Sequence, residues 1–196
     1  MDRQDAIFKF AQAVLQERAQ SRYQQICEDY TANKQQIVND FYQAVGQLIA
    51  LTKRQQTERQ KQPIRYVAAL YLFSSAITKT YEFQLSLFDE RYFLDPTESC
   101  VYWCPKWLFS YTEADRVFLT TVAKKEFIRL HTFELDAVWR AYVCGFYYSL
   151  AGLFFAEHLK SAAIACELNN LALMGEVDFV FGGYMDQSVK LGTLKG

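Results

Sequence analysis

The chain has 196 residues, 51% of them apolar, with only 3 Pro and 8 Gly. That length and composition support a sizeable buried core and exclude a disordered, low-complexity or collagenous protein. With 21 basic and 22 acidic residues the net charge is −1, which argues against affinity dominated by phosphate neutralisation.

The start, Met1-Asp2-Arg3-Gln4-Asp5, leads into no apolar leader, and the five cysteines are an odd number. A cytoplasmic protein with reduced thiols is the expectation.

Residues 1–62 hold 14 Gln against 2 in residues 63–196, which marks a compositional boundary. Within the first stretch, Phe8, Ala11, Leu15, Ala19, Tyr23, Ile26 and Tyr30 recur at helical steps. Gln12, Gln16, Glu17, Arg18, Gln20 and Arg22 fall between them and are assigned to a solvated face. Asn33 with Gln36 has the form of an N-cap and its reciprocal partner, which predicts a second helix with Ile37, Phe41, Val45 and Leu48 as its stripe. Residues 1–62 are thus expected to fold as a Gln-rich helical hairpin arm, a candidate for self-association.

Lys53, Arg54, Arg59, Lys61 and Arg65 carry a local charge of +4 with Glu58. They form a candidate basic patch, though cations at a helix C-terminus also simply complement its dipole. Nucleic-acid binding is not the favoured reading, because the first 45 residues show no compact helix-turn-helix spacing.

Pro63 suits the first turn of a third helix, striped by Val67, Leu70/Tyr71, Ser74, Ile77 and Tyr81 and running to about Leu87. Asp95-Pro96-Thr97-Glu98 predicts a short helix that stops before Pro105. Residues 88–111 hold eight aromatics among 24 residues. The favoured reading is a structural cap with its rings tucked against the helices. If the segment is instead a partner surface, Tyr102, Trp103 and Trp107 are the candidate partner-binding residues. Ser110 with Glu113 predicts the start of a further helix, and one or two more run from about Glu134 to a stop at Gly175.

Ala137–Ala156 contains one charge, Arg140, yet its Tyr, Ser and Gly content fits a buried helix better than a membrane span. Ala141, Gly145, Ser149, Gly152 and Ala156 form a small-residue stripe where a neighbouring helix is expected to approach closely. In the tail, Val177, Phe179 and Phe181 alternate, and Gly182-Gly183 suits a hairpin turn.

No catalytic set is legible. His131 with Glu134 lacks the remaining ligands of a carboxylate metal centre, and Cys100 with Cys104 lacks the second pair of a zinc site. No cofactor or metal is expected.

The predicted fold class is all-α: the arm at 1–62, a helical body at 63–175 containing the irregular segment 88–111, and a small β-hairpin or loose tail at 176–196. The function expected is a non-enzymatic protein–protein interaction or regulatory role, through a protein partner or self-association. The alternative is a helical domain with a small-molecule ligand or a catalytic pocket covered by residues 88–111.

Overall fold

A computed structural model describes residues 2–195. The fold is mixed α/β, which overturns the all-α expectation. A five-stranded sheet runs in the order β3-β2-β1-β4-β5, with β1 parallel to β4 and the other pairs antiparallel. Its strands are β1 (Ile64–Tyr71), β2 (Phe83–Phe88), β3 (Cys100–Trp103), β4 (Leu173–Gly183) and β5 (Ser188–Lys195). The helices are α1 (Arg3–Thr57), α2 (Phe73–Thr78), α3 (Lys106–Phe109), α4 (Thr112–Glu126), α5 (Asp136–Tyr142), α6 (Tyr148–His158) and α7 (Ala162–Leu168), with a π-helical segment Val143–Tyr147 between α5 and α6.

The predicted helical hairpin is one continuous helix of 55 residues. Asn33 does not cap: its amide donates to the carbonyl of Asp29, as Thr31 donates to that of Cys27. Both side chains bond back onto the preceding turn, and with no Gly or Pro before Gly46 nothing interrupts the ladder.

The third predicted helix is instead strand β1, the short helix α2, which carries Ser74 and Ile77, and strand β2. Val67, Ala68, Ala69 and Leu70 are all buried, as in a central strand covered on both faces, where polar alternation disappears. A short apolar run of this kind satisfies either period, and pairing with β2 and β4 decides it.

The short helix predicted at Asp95 is absent. The Asp95 carboxylate accepts from Lys61 Nζ and from the backbone N–H groups of Asp89 and Thr97, and the chain continues into β3. The Ser110 cap is also replaced: its hydroxyl donates to the carbonyl of Trp107, and α4 begins at Thr112. Gly175 lies within β4 rather than ending a helix. The tail is a β-hairpin, but β4 continues through Gly182 and Gly183, and the chain reverses over Tyr184–Gln187.

The chain divides into two compact units. The first comprises residues 1–34 and 106–151, the second residues 35–105 and 152–196. The second unit holds the sheet. Register places Val67 beside Leu87 and Phe179, and Ala69 beside Leu85 and Phe181, so these residues share one face. Phe155 packs its ring against Phe41, Phe83 and Phe181 on that side. On the opposite face Ala68, Leu70, Phe88 and Val180 form a smaller cluster, with Tyr66, Tyr92, Phe93 and Tyr184 packed against it.

The first unit is helical, built from the N-terminal part of α1, from α3, α4 and α5, the π segment and the first turn of α6. No helix among the described residues is long and apolar enough to cross a membrane.

Candidate functional site

Two features of the first unit adjoin through Tyr142: a buried charge network and a cavity. The network centres on Asp115, in the first turn of α4 and fully buried. Two arginines one turn apart on α1 converge on it. Arg18 Nε lies 2.5 Å from Oδ1. Arg22 is itself buried and places Nη2 2.5 Å from Oδ1 and Nε 3.2 Å from Oδ2. The Tyr147 hydroxyl donates to Oδ2 at 2.6 Å. Aromatic rings flank both cations, with Arg18 4.2 Å from the Phe118 centroid and Arg22 4.2 Å from that of Tyr111.

Burial opposes ionisation of Asp115, but hydrogen bonds from Arg22, Tyr147 and Arg18 outweigh it and hold the carboxyl below the usual carboxylate range. Burial, reinforced by the same carboxylate, pushes the Tyr147 and Tyr142 hydroxyls far above the ordinary phenol range. Tyr142 Oη is buried near Asp115 without reaching hydrogen-bond geometry to it.

The cavity measures about 370 Å³. Its α1 wall carries Phe8, Gln12, Leu15, Gln16 and Ala19. Its other wall, from α5 and the π segment, carries Val138, Ala141, Tyr142, Gly145 and Phe146. The Tyr142 and Phe146 rings lie nearly parallel, 10° apart with centroids 5.4 Å from one another. A Cβ built at Gly145 meets no atom within 4 Å. The small-residue stripe therefore does not bring a second backbone close at this point; Ala141 and Gly145 leave space instead. Along the same stripe in the second unit the reverse holds, since a Cβ on Gly152 comes 3.0 Å from Phe181 Cε1.

The candidates read from sequence are dispersed. Tyr102 is exposed on edge strand β3. Trp103 is buried, donates from Nε1 to Asp40 at 2.9 Å and stacks on Phe154. Trp107 is half-buried, its ring 5.0 Å from that of Tyr30. No residue of the 88–111 segment is among those lining the cavity.

The five cations of the basic stretch do not share one surface role. Lys53, Arg54 and Arg59 are exposed, but Lys61 is buried in an ion pair with Asp95, and Arg65 is held by Asp178 at 3.1 Å.

His131 stacks on Phe133, and its backbone N–H donates to Glu134, which also pairs with Arg3. The Cys100 thiol donates to Glu98, and burial pushes it up to about 11. Among the described residues no group of three or more His, Cys, Asp or Glu is placed to hold a metal ion.

Sequence reasoning missed Asp115, Arg18, Arg22 and Tyr147. Local pattern places Arg18 and Arg22 on the solvated face, and the structure buries Arg22. The available signal was an i, i+4 arginine pair on the flank of an apolar stripe. Its carboxylate partner, 93 residues further along the chain from Arg22, is invisible to local pattern.

No protein-family model matches this chain, and neither curated proteins nor solved structures give a match.

Proposed function

We propose that the protein is a non-enzymatic binding protein whose helical unit receives a compact, largely apolar small molecule in the cavity between α1 and the α5–π wall. The observation that carries this reading is the cavity itself. Its volume of about 370 Å³ falls in the range of small-molecule sites. Its walls come from helices tied together by the Asp115 network, so the space is preformed rather than made by ligand.

Binding rather than chemistry is favoured because the lining offers no carboxylate, imidazole, thiol or amine. Tyr142 is the titratable side chain on that wall, and it is pushed away from ionisation.

The test uses 1-aminoanthracene, a neutral fluorophore that brightens in apolar surroundings. The wild-type protein is expected to give saturable enhancement, and Gly145→Leu, which projects a side chain into the space, is expected to abolish it. Equal enhancement in a correctly folded Gly145→Leu protein would overturn the reading.

A protein interface is a second reading, favoured by exposed Tyr102 on edge strand β3 and exposed Val189 on edge strand β5. Tyr102→Ala and Val189→Lys should then lose a co-purifying protein partner while leaving the melting temperature unchanged. Retention of that partner by both variants would remove this reading.

A further inference from the structure

Resting on the small-molecule reading above, we infer that the ligand is an electrically neutral, planar aromatic molecule with an amide-like edge. Three observations set these terms.

The first is charge. None of the ten lining residues is ionic. Arg18 and Arg22 of the adjoining network are bound to Asp115, so they and their carboxylate satisfy one another. A charged ligand seated against this apolar lining would give up part of its hydration without gaining a counter-ion, which lowers its affinity relative to a neutral one.

The second is shape. Tyr142 and Phe146 present near-parallel rings, and Gly145, on the same side of the helix as both, adds no side chain between them. With centroids 5.4 Å apart the two rings stack offset on one another, and a planar ring system entering the cavity extends that stack in the offset manner that aromatic pairs prefer. Phe8 lines the α1 wall.

The third is hydrogen bonding. Gln12 and Gln16 are one turn apart on α1, so their amides sit on the same face of the helix, at the exposed margin of the cavity. Each amide offers both donor and acceptor groups. A ligand edge carrying a carbonyl and an N–H side by side matches that pair, whereas a carboxylate has only acceptors and an amidinium only donors.

The experiment compares four probes on one ring system: 2-naphthamide, 2-naphthoate, 2-naphthamidine and 2-methylnaphthalene. Each displaces 1-aminoanthracene from the wild-type protein, from Gly145→Leu and from a Gln12→Ala, Gln16→Ala variant. Circular dichroism verifies folding, and Ala141→Leu serves as a second filled cavity.

The expected result is displacement by 2-naphthamide at concentrations at least about tenfold lower than by either charged analogue. In the double glutamine variant the amide should weaken by roughly two- to tenfold, with 2-methylnaphthalene unchanged.

Tighter binding of 2-naphthoate or 2-naphthamidine would overturn the neutral-ligand assignment while leaving the cavity reading standing. An amide advantage unchanged in the glutamine variant would overturn the role of Gln12 and Gln16. Binding of all four probes by both filled variants, or of none by wild type, would sink the cavity reading and this inference with it.

Discussion

Replacing Asp115 with Asn perturbs the largest concentration of buried charge in the helical unit. The carboxylate is fully buried and accepts from three side chains: Arg18 at 2.5 Å, Arg22 at 2.5 Å and Tyr147 at 2.6 Å. Hydrogen bonds to a charged group contribute about 1.5–3 kcal/mol each. The three do not add, because Asp115 gives up its hydration to make them and because the donors share one carboxylate, two like-charged guanidiniums converging on Oδ1. The better guide is the cost of breaking a buried ion pair from one side, about 3–5 kcal/mol, since Arg22 is left buried with its charge uncompensated. Asn also turns an N–H₂ group toward donors.

The expected loss in a urea melt at pH 7 is therefore about 3–5 kcal/mol, a weakening of the folding constant by roughly 10²- to 10³-fold or more. Tyr147→Phe, which removes one donor and keeps both arginines, should cost less, about 1–3 kcal/mol. The two substitutions should be non-additive in a double-mutant cycle.

Acid gives an independent measure. Asp115 ionises more readily in the folded chain than in the unfolded one, where its pKa is about 3.9. Its contribution is complete above that value and is lost as pH falls through the lower folded value, so stability declines below about pH 4. The Asn variant should lose part of that acid dependence. A penalty under about 1 kcal/mol at pH 7 would refute the argument that the network holds the helices together.

Two glycines of one stripe should respond in opposite directions. Gly145→Ala meets no atom within 4 Å and gains helix propensity, so a thermal melt should show unchanged or raised stability, by up to about 1 kcal/mol. Gly152→Leu must displace the Phe181 ring, 3.0 Å from the new Cβ, and should lower stability by about 1–3 kcal/mol in the same assay. Trp103→Ala empties a buried site packed on Phe41, Phe154 and Phe155; a denaturant melt should show a loss of about 3–5 kcal/mol, whereas exposed Tyr102→Ala should stay within about 0.5 kcal/mol. Lys61→Met leaves Asp95 buried without its cation and should cost about 3–5 kcal/mol, measured by the same melt.

Periodicity was legible along parts of α1 and β4. The stripe from Phe8 to Tyr30 marked one side of α1: Ala11, Leu15 and Ile26 along it are buried, whereas Phe8 and Tyr23 are exposed and the unpredicted Ile7 is buried in their place. The alternation of Val177, Phe179 and Phe181 announced a strand, because every second side chain of β4 points to the aromatic face of the sheet. The open cavity was not legible, since Ala141 and Gly145 read as sites of close helix approach; spacing gives a side but not the distance to what lies opposite.

What tertiary structure alone decided were the places where a partner distant in sequence competes with a local preference. Val67–Leu70 satisfies a helical stripe and a buried strand equally, and β2 and β4 on either side settle it as strand β1. Asn33 and Asp95 both have the chemistry of N-caps, but one bonds back to its own helix and the other is taken by Lys61. Arg22 belongs by local pattern to a solvated face, and only Asp115, 93 residues away, makes its burial affordable. Sequence determines what each residue can satisfy; the fold determines which of its possible partners is within reach.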